Sequence, residues 1–402
     1  MYRIKNHKRR KPHIPFVIIL MSTLLTATSC MFNNQQVVSR SEEREQITLV
    51  WPQEKEGFLT GSESEETDST ATSQEVSSEE EKDRLVEITI SAAGDVSLGN
   101  HRDQGFSYSF REKYAEMGDR AYFFENVAPF FEEDDFTIVN LEGVLTFAEE
   151  VREGRTFYIK GDPEYANILT LGGVEAVSMS NNHVNDYGEQ GKEDTIDALT
   201  AEGIGYAYDN ILGLYEVKGI LIGYVSVNET SMGTRVESYL QEGINALKDQ
   251  GADLILASCH WGTEHVNYPE EYQITLGRNC IDWGADLVIG HHPHVLQGIE
   301  YYQGKYIIYS LANFCFGANR NPVDKDTIIY QQTFTFVDND LQEETTAKVI
   351  PCSISSVETR NDYRPTPAIG EEAERILERM RQYSLDGNLS FAEDGEIIPA
   401  SP

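Results

Sequence analysis

Basic residues are scarce in this chain: 402 residues carry 32 Lys and Arg against 67 Asp and Glu, a formal net charge of −35. This excess of negative charge excludes nucleic acid and anionic membrane surfaces as partners for the bulk of the protein. An anionic ligand would therefore need a local source of positive charge in order to bind. A bound metal ion is one such source.

Paired cysteine spacings are also absent. Four of the five cysteines lie in apolar, strand-like surroundings without a CxxC pair, at Cys259, Cys280, Cys315 and Cys352. This spacing argues against a structural zinc site built from thiolates, and it indicates no disulfide framework. We expect these four side chains to be buried free thiols.

No apolar run reaches the ~20 residues of a comfortable transmembrane helix. The longest candidate, Ile14 to Leu25, follows a basic segment and leads through small residues to Cys30. This pattern is typical of an export signal and resembles a bacterial lipobox, with Cys30 as the lipidated residue. An uncleaved signal anchor and an ordinary cleaved signal peptide are the alternatives. Lipidation or anchoring would tether the protein at the outer face of the bacterial cytoplasmic membrane.

The composition changes twice along the chain. Residues 1–30 are the predicted signal peptide with its lipobox, or a membrane anchor. Residues 31–84 form a predicted disordered linker, acidic and rich in Ser and Glu, in which the short apolar segment 47–51 has no assigned role. From residue 85 apolar runs alternate with helix-like segments, which predicts an α/β domain over 85–325, completed by strands and a helix within 326–402.

Polar residues follow six predicted strands at the point where each ends. The exits are 86–92 into Asp95, 136–139 into Asn140 and Glu142, 174–179 into Asn181, Asn182, His183 and Asp186, 253–259 into His260 and Glu264, 286–289 into His291, His292 and His294, and 305–310 into Asn313. Ligands of α/β sheets bind outside the carboxyl ends of the strands. We therefore expect these side chains to converge on one cleft.

The residue types indicate what such a cleft would bind. Imidazoles, carboxylates and an amide, without a thiolate, suit Mn²⁺, Fe or Zn²⁺. If Asp186 orients its imidazole, His183 is a candidate general acid or electrostatic stabiliser. Single motifs have plainer explanations, since Asp95 could sit in a turn and His260 in the core. The run from His291 to His294 is the hardest to explain by packing alone.

Six motifs in this order resemble the CapA family, the poly-γ-glutamate capsule biosynthesis proteins, over about residues 86–320. They are Gly94-Asp95-Val96, Asn140-Leu141-Glu142-Gly143, Asn181-Asn182-His183 with Asp186-Tyr187-Gly188, His260-Trp261-Gly262-Thr263-Glu264, Gly290-His291-His292-Pro293-His294-Val295 and Tyr309-Ser310-Leu311-Ala312-Asn313-Phe314. That family is similar to the calcineurin-like metallophosphatases. The resemblance implies a four-layer αββα sandwich of the metallophosphatase type, with a two-metal site.

The resemblance also implies residue roles. His183 corresponds to the catalytic histidine, and the implied ligands of one or two divalent ions are Asp95, Glu142, Asn182, His260, His292 and His294. Other expected members of the cleft are Asn140, Asn181, Glu264, His291 and Asn313. Two departures stand out: Val96-Ser97 follows Asp95 where the phosphatases have Asp-x-His, and Glu142 replaces the bridging aspartate.

The functional prediction is a cell-surface role in poly-γ-glutamate capsule biosynthesis. The alternatives are a metal-dependent hydrolase of a phosphorylated or polymeric cell-surface substrate, and a non-catalytic lipoprotein that binds a solute or polymer. The expected partners are an anionic polymer such as poly-γ-glutamate or a cell-surface precursor, the membrane through the N-terminus, and membrane synthase subunits.

Overall fold

A computed structural model of the chain describes residues 47–51, 84–385 and 389–399, which belong to one compact unit, Glu45–Pro402. The predictions for residues 1–30, including lipidation of Cys30, and for most of the linker lie outside these residues. Within the described ranges, no helix is both long and apolar enough to cross a membrane.

The described residues form twenty strands and eight α-helices. In chain order the strands are β1 (Thr48–Val50), β2 (Leu85–Ser97), β3 (Asn100–His101), β4 (Phe136–Leu141), β5 (Val144–Leu145), β6 (Ile159–Gly161), β7 (Ala176–Ser178), β8 (Gly205–Ala207), β9 (Ile211–Val217), β10 (Ile220–Asn228), β11 (Leu254–His260), β12 (Leu287–His291), β13 (Ile299–Tyr302), β14 (Lys305–Ile308), β15 (Asn313–Phe316), β16 (Asp326–Val337), β17 (Asp340–Ser353), β18 (Thr366–Pro367), β19 (Leu389–Phe391) and β20 (Ile397–Pro399). The helices are α1 (Phe110–Met117), α2 (Ala128–Glu132), α3 (Ala166–Leu171), α4 (Gly188–Glu202), α5 (Glu229–Met232), α6 (Val236–Asp249), α7 (Glu271–Trp283) and α8 (Glu371–Tyr383).

Two large mixed sheets make up the centre of the domain. The first has the strand order β18-β17-β16-β2-β4-β7-β8, with β15 paired to β2, and the second has the order β1-β9-β10-β11-β12-β14-β13. Strands β2, β4, β7 and β8 run parallel, as do β10, β11, β12 and β14. Parallel strands place their carboxyl ends at one edge of each sheet, and the predicted site residues follow those ends.

The core has three layers of buried apolar side chains, which confirms the predicted αββα sandwich. One layer lies between the sheets and includes Ile90 of β2 and Leu256 of β11. A second packs the outer face of the first sheet against α1, α3 and α4, and a third packs the second sheet against α6 and α7. Alternate residues of one strand serve different layers, as Ile255 and Leu256 do, because successive strand side chains point to opposite faces.

Local sequence explains the elements that carry the site. All seven residues of β11 are buried, which fits its continuous apolar run and a strand covered on both faces. Helix α7 begins with a capping box, in which the Glu270 and Gln273 side chains each accept a backbone N–H of the other residue. It ends at Gly284, whose φ of 109° is available to glycine at little cost.

The apolar segment 47–51, which had no assigned role in the predicted linker, forms strand β1. It pairs in parallel with β9, with Leu49 opposite Leu212. Leu49 packs against the outer core of the second sheet and Val50 against that of the first. Part of the predicted linker is therefore an edge strand of the domain.

Gly94 allows two elements of the site to approach closely. A Cβ at this position would lie 2.0 Å from the carbonyl oxygen of Ala312. The next amide, that of Asp95, donates a hydrogen bond to the same oxygen at 2.8 Å. Only glycine fits between β2 and the segment before β15 without moving one of them.

At the opposite, amino-terminal ends of β4 and β7, three carboxylates lie close together. Glu175 accepts a hydrogen bond from the backbone N–H of Thr137 at 2.7 Å. Burial, with the nearby Asp134 and Asp135, raises the pKa of Glu175 to about 8, and burial raises that of Asp134 to about 6. The folded protein therefore holds protons here that the unfolded chain releases at neutral pH.

Linkage gives this cluster a pH-dependent effect on stability. Because the folded pKa of Glu175 is raised, its contribution is present below about pH 4.5 and is lost as the pH rises through about 8. Within that window the free energy of unfolding falls by up to about 1.4 kcal/mol per pH unit from this group. We expect Glu175→Gln to flatten this slope in denaturant titrations at pH 5, 7 and 8.5. The exposed control Glu344→Gln should leave it unchanged, and an equal slope in both variants would contradict the assignment.

Candidate metal centre

The predicted site residues come together at the carboxyl ends of strands from both sheets. Strands β2, β4 and β7 contribute from the first sheet, and β11 and β12 from the second. The cleft therefore lies between two facing sheet edges rather than along one sheet. Asn313 reaches it by a different route from the one expected, because the chain crosses after β14 and Asn313 begins β15, opposite Asp95 of β2.

Three buried side chains form a first ligand group, Asp95, Glu142 and His260. One ligand atom of each lies within 4.8 Å of the others. The Nδ2 of Asn140 donates to Asp95 Oδ1 at 2.8 Å and orients this carboxylate. Glu142 Oε1 is buried and has no hydrogen-bond partner among the described residues. A buried carboxylate oxygen without a donor is costly, and a cation at this position would satisfy it.

Glu264, His292 and His294 form a second ligand group, in which one ligand atom of each residue also lies within 4.8 Å of the others. It adjoins the first group, because His294 Nε2 lies 3.5 Å from Glu142 Oε1. The rings of His260 and His292 are also close, with centroids 4.6 Å apart. Glu264, predicted only as a member of the cleft, is thus placed beside two expected ligands.

The predicted amide ligand Asn182 lies beside the first group, with Oδ1 3.2 Å from His260 Nε2. Neighbouring polar residues hold the groups in position. Asn181 donates to the Leu141 carbonyl at 2.8 Å, and His291 Nδ1 is 3.3 Å from Asp95 Oδ1. Asn313 Oδ1 lies 3.0 Å from Nδ1 of His294, a residue of the second group.

His183 and Asp186 form a buried pair at the edge of the first group. His183 Nδ1 lies 2.7 Å from Asp186 Oδ2, and its Nε2 lies 3.8 Å from Glu142 Oε1. Asp186 Oδ2 also accepts the backbone N–H of Ile159 at 2.7 Å, and the His183 amide donates to Asn181 Oδ1 at 3.0 Å. The imidazole is therefore fixed, with Nδ1 on the carboxylate and Nε2 toward the ligand groups.

The backbone that carries the second group is strained. His292 and His294 have φ values of 98° and 56°, in the left-handed region that non-glycine residues seldom adopt. Each such residue costs on the order of 1–3 kcal/mol and persists only where its surroundings hold it, most often at functional sites. The carbonyl of the intervening Pro293 is held by the amide of His265 at 2.8 Å.

Protonation in the site follows from burial and neighbouring charges. Burial and the neighbouring imidazoles lower the pKa of His260, and they lower that of His292 to about 4. Both rings are therefore neutral and have a lone pair for a metal. Burial alone would also lower the pKa of His294, but Glu142 and Asp95 outweigh it and raise the value to about 10. Burial raises the pKa of Glu142 to about 7. This donor set fits a divalent cation.

The ligand groups open into a cavity of about 590 Å³. Its wall includes Glu142, His183, Glu264 and His294, together with apolar side chains. Phe157 and Val323 are exposed in this wall, and Phe157 lies edge-on to His101 with ring centroids 5.0 Å apart. The sequence gave no indication of this wall, because neither Phe157 nor Val323 belongs to a polar motif.

All thirteen side chains predicted for the cleft lie at this end of the sandwich. The structure gathers seven of them around the two ligand groups: Asp95, Glu142, Asn182, His260, Glu264, His292 and His294. The remaining six form the His183–Asp186 pair or lie next to it and the ligands: His183, Asp186, Asn140, Asn181, His291 and Asn313. Their roles as ligands or catalytic groups stay predictions.

Comparison with known proteins relates this geometry to a family. The chain is 28% identical over 251 residues to the PGA biosynthesis protein CapA of Bacillus subtilis (strain 168), covering 57% of this chain and 63% of that protein. It is 27% identical over 254 residues to the capsule biosynthesis protein CapA of Bacillus anthracis, covering 57% and 60%. The match thus spans less than two thirds of either Bacillus protein.

More distant similarities extend the comparison. A probable polyglutamine synthesis accessory protein of Mycobacterium tuberculosis (strain ATCC 25618 / H37Rv) is 23% identical over 283 residues, or 55% of this chain and 72% of that protein. The crystal structure of a hypothetical protein from Thermus thermophilus covers 66% of this chain and 99% of its own, with 14% identity and a TM-score of 0.39, too low to carry an argument. The family model described as bacterial capsule synthesis protein PGA_cap matches residues 89–211 and 214–318, which is more than half of the sequence. The chain therefore belongs to this family of bacterial capsule synthesis proteins.

Proposed function

We propose that this protein takes part in poly-γ-glutamate capsule biosynthesis and that its cleft is a metal-dependent hydrolytic site for an anionic cell-surface polymer or its phosphorylated precursor. The observation that carries the hydrolytic part is the His183–Asp186 pair beside the ligand groups, with His183 Nε2 3.8 Å from Glu142. The capsule part is supported by family membership and by the names of the two Bacillus relatives.

A divalent cation held by these side chains would supply the positive charge needed to bind and polarise an anionic oxygen of the substrate. The protein's net charge of −35 would otherwise repel a polyanion, at least within a Debye length of about 8 Å. The residues that would hold the ion are the first ligand group with Asn182, and the second ligand group. No cationic side chain lines the cavity apart from histidines, among the described residues.

The protein's own part in the reaction falls to the buried pair. Asp186 accepts a hydrogen bond from His183 Nδ1 and stabilises the imidazolium form. The Nε2 proton of His183 then faces the cavity, where it can pass to a leaving oxygen. Phe157 and Val323 add exposed apolar surface to one side of the cavity, which could contact an apolar part of the substrate.

The same geometry fits a second function, cation-dependent binding of the polymer without cleavage. The observation that favours it is Val96-Ser97 after Asp95, which removes one metal ligand expected from the phosphatase pattern. In that case the protein would hold the growing chain for membrane synthase subunits. The proposal also places the domain at the outer face of the cytoplasmic membrane, supported by the signal-like pattern that ends at Cys30.

One experiment separates these functions. Protein loaded with Mn²⁺, Fe²⁺ or Zn²⁺ is incubated with poly-γ-glutamate of defined length, and in parallel with phosphorylated cell-surface precursors. Polymer length, released phosphate and bound polymer are measured with and without a chelator. Metal-dependent cleavage supports the hydrolase, and metal-dependent binding without cleavage supports the accessory role. If the protein neither cleaves nor binds the polymer or the precursors in the presence of metal, both functions are contradicted.

The proposal predicts that metal affinity rises with pH. The pKa of His294 is about 10, so its imidazole must release a proton when an ion binds at neutral pH. The pKa of Glu142 is about 7, so its carboxyl group must release a second proton when an ion binds below pH 7. We expect the apparent Kd to fall about tenfold per pH unit above pH 7, with one proton released, and more steeply below it. Competition with a metal-sensitive dye between pH 6 and 8.5 measures this. An affinity independent of pH would contradict the assignment of these two side chains.

A further inference from the structure

A shallow groove of about 470 Å³ continues outward from the cavity beside the ligand groups. The groove and the cavity share part of their walls, at His101, Phe157, Ala318 and Asn319. Arg320 lines the groove but not the cavity. The two spaces therefore form one continuous surface, which leads from the ligand groups past Phe157 to an arginine.

The positive charge of Arg320 is not neutralised by the protein. Among the residues that the structure describes, no carboxylate forms an ion pair with it, although Asp103 also lines the groove. Its Nη2 donates to the backbone carbonyl of Gly105 at 2.5 Å, and its buried Nε has no hydrogen-bond partner within the same residues. A guanidinium has five N–H donors, so most of its binding capacity is unused. In a chain with 67 acidic and 32 basic residues, such an arginine is available to an external anion.

The chain on both sides of the groove holds Arg320 in place. The amide of Asn361 donates to the Arg320 carbonyl at 3.0 Å, and the Asn361 side chain donates to the carbonyl of Asn319 at 3.0 Å. The bond to Gly105 fixes the other end of the arginine, because it joins the guanidinium to the loop after β3. A cation that is already held in position loses little conformational entropy when a ligand binds.

The surface between the ligand groups and Arg320 is apolar. Phe157 is 60% exposed where the cavity meets the groove, and Val323 is fully exposed in the cavity wall. Phe316 continues this surface inward, since its ring centroid lies 5.2 Å from that of His294. Apolar surface gains free energy from contact with aliphatic groups, about 25 cal/mol for each Å² removed from water. The surface thus suits a chain whose anionic groups are separated by short aliphatic segments.

We propose that Arg320 and Phe157 form a polymer-binding subsite. Arg320 binds an anionic group of the substrate one or more units away from the group at the ligand residues, and Phe157 contacts the aliphatic segment between them. The planar guanidinium pairs with a carboxylate through two parallel hydrogen bonds. This inference rests on the proposed function and narrows its substrate to a polymer such as γ-linked glutamate, in which every unit carries one carboxylate and two methylene groups in the chain.

The test is binding of γ-linked glutamate oligomers of increasing length, from the dimer upward, to the full chain loaded with Mn²⁺. Calorimetric titration gives the affinity per glutamate unit. We expect this affinity to rise with length until the oligomer reaches Arg320, because two joined contacts bind more tightly than one. Arg320→Gln should weaken binding of the long oligomers about 10-fold and leave binding of the dimer unchanged.

Three further variants define the subsite. Arg320→Lys retains the charge without the planar fork and should show a smaller loss than Arg320→Gln. Phe157→Ala should weaken binding of the long oligomers about 3-fold, because it removes the aromatic contact with the aliphatic segment. Lys348→Gln removes an exposed positive charge from β17, outside both the cavity and the groove, and should bind every oligomer like the unaltered protein.

The outcomes separate this inference from the function on which it rests. Unchanged binding of long oligomers to Arg320→Gln would overturn the subsite and leave the metal-dependent function standing, as would an equal loss for the dimer and the long oligomers. Action on phosphorylated precursors without binding of any oligomer would also overturn the subsite alone. Failure to bind or act on either substrate would overturn both. If Arg320→Gln does not fold, the unaltered protein decides, since an affinity per unit that is independent of length contradicts the subsite.

Discussion

Replacement of His183 by asparagine should lower metal-dependent hydrolysis by about 100- to 10,000-fold, the usual contribution of a general acid or base. The bound metal should remain, because His183 belongs to neither ligand group. Its Nε2 faces Glu142 at 3.8 Å, so the change removes the proton donor and leaves the ligands in place. Single-turnover rates together with metal content on the same samples measure the effect.

Asp186→Asn supplies the companion variant for this prediction. An asparagine retains the acceptor for the Ile159 amide, which the Asp186 carboxylate binds at 2.7 Å, but it removes the charge that stabilises the imidazolium. We expect a smaller loss of hydrolysis than for His183→Asn, because the imidazole remains in place with a neutral partner at Nδ1. Equal activity of both variants and the unaltered protein would exclude the catalytic role of the pair and favour the accessory function.

Asp95→Asn should have the largest effect on metal binding. Asp95 is fully buried, belongs to the first ligand group and lies within 3.1 Å of His294 and 3.3 Å of His291. Loss of a residue that only hydrogen-bonds a metal ligand usually weakens metal binding about 10- to 100-fold. Loss of Asp95, itself a proposed ligand, should weaken metal binding by more than this. The unaltered protein should gain about 2.7 kcal/mol of stability at a metal concentration 100 times the Kd, and the variant should not.

Thermal unfolding with and without metal, at equal protein concentration, measures this difference. Asp249→Asn makes the same chemical change at the exposed end of α6 and should behave like the unaltered protein. His260→Gln removes a different member of the first group, so the test remains valid if Asp95→Asn fails to fold. A metal-induced gain in stability that persists in both ligand variants would contradict the assignment of the first group.

Sequence patterns predicted the elements that lead to the site more closely than they predicted their arrangement. The predicted strand 136–139 begins where β4 begins and is extended by two residues, the predicted strand 253–259 is displaced by one residue in β11, and the helix predicted within 326–402 is α8. The buried parallel strands read as continuous apolar runs, which the sequence displays directly. Strand β9, with its glycine and charged residue, and the short helices α1 to α3 were not predicted, because packing rather than local pattern determines them.

Only the family resemblance predicted that the strands are divided between two sheets. Apolar runs such as those of β4 and β11 look alike in sequence, and nothing in them says which sheet each strand joins. The inter-sheet core decides this through the fit of side chains such as Phe136 and Tyr224, whose rings lie 5.6 Å apart.

The candidate site shows the same division. Motifs at strand ends predicted every side chain of the two ligand groups as a member of the cleft, because polar residues after a buried strand stand out against the apolar run. The motifs did not predict that Glu264 lies beside His292 and His294, which depends on the hydrogen bond from His265 to Pro293 between two distant motifs. The apolar wall of Phe157 and Val323 was not predicted either, since a single exposed apolar residue gives no signal in a sequence.

The most direct test of the metal centre is the number of divalent ions bound per chain. The protein is stripped with a chelator, reloaded with Mn²⁺, Fe²⁺ or Zn²⁺ under matched conditions, freed of excess ions and analysed by elemental analysis beside Asp95→Asn. We predict bound ions in the unaltered protein at a whole-number ratio, two when both ligand groups hold an ion, and a clear loss in the variant. A metal content in the unaltered protein no higher than that of Asp95→Asn would contradict the metal centre and the function proposed from it.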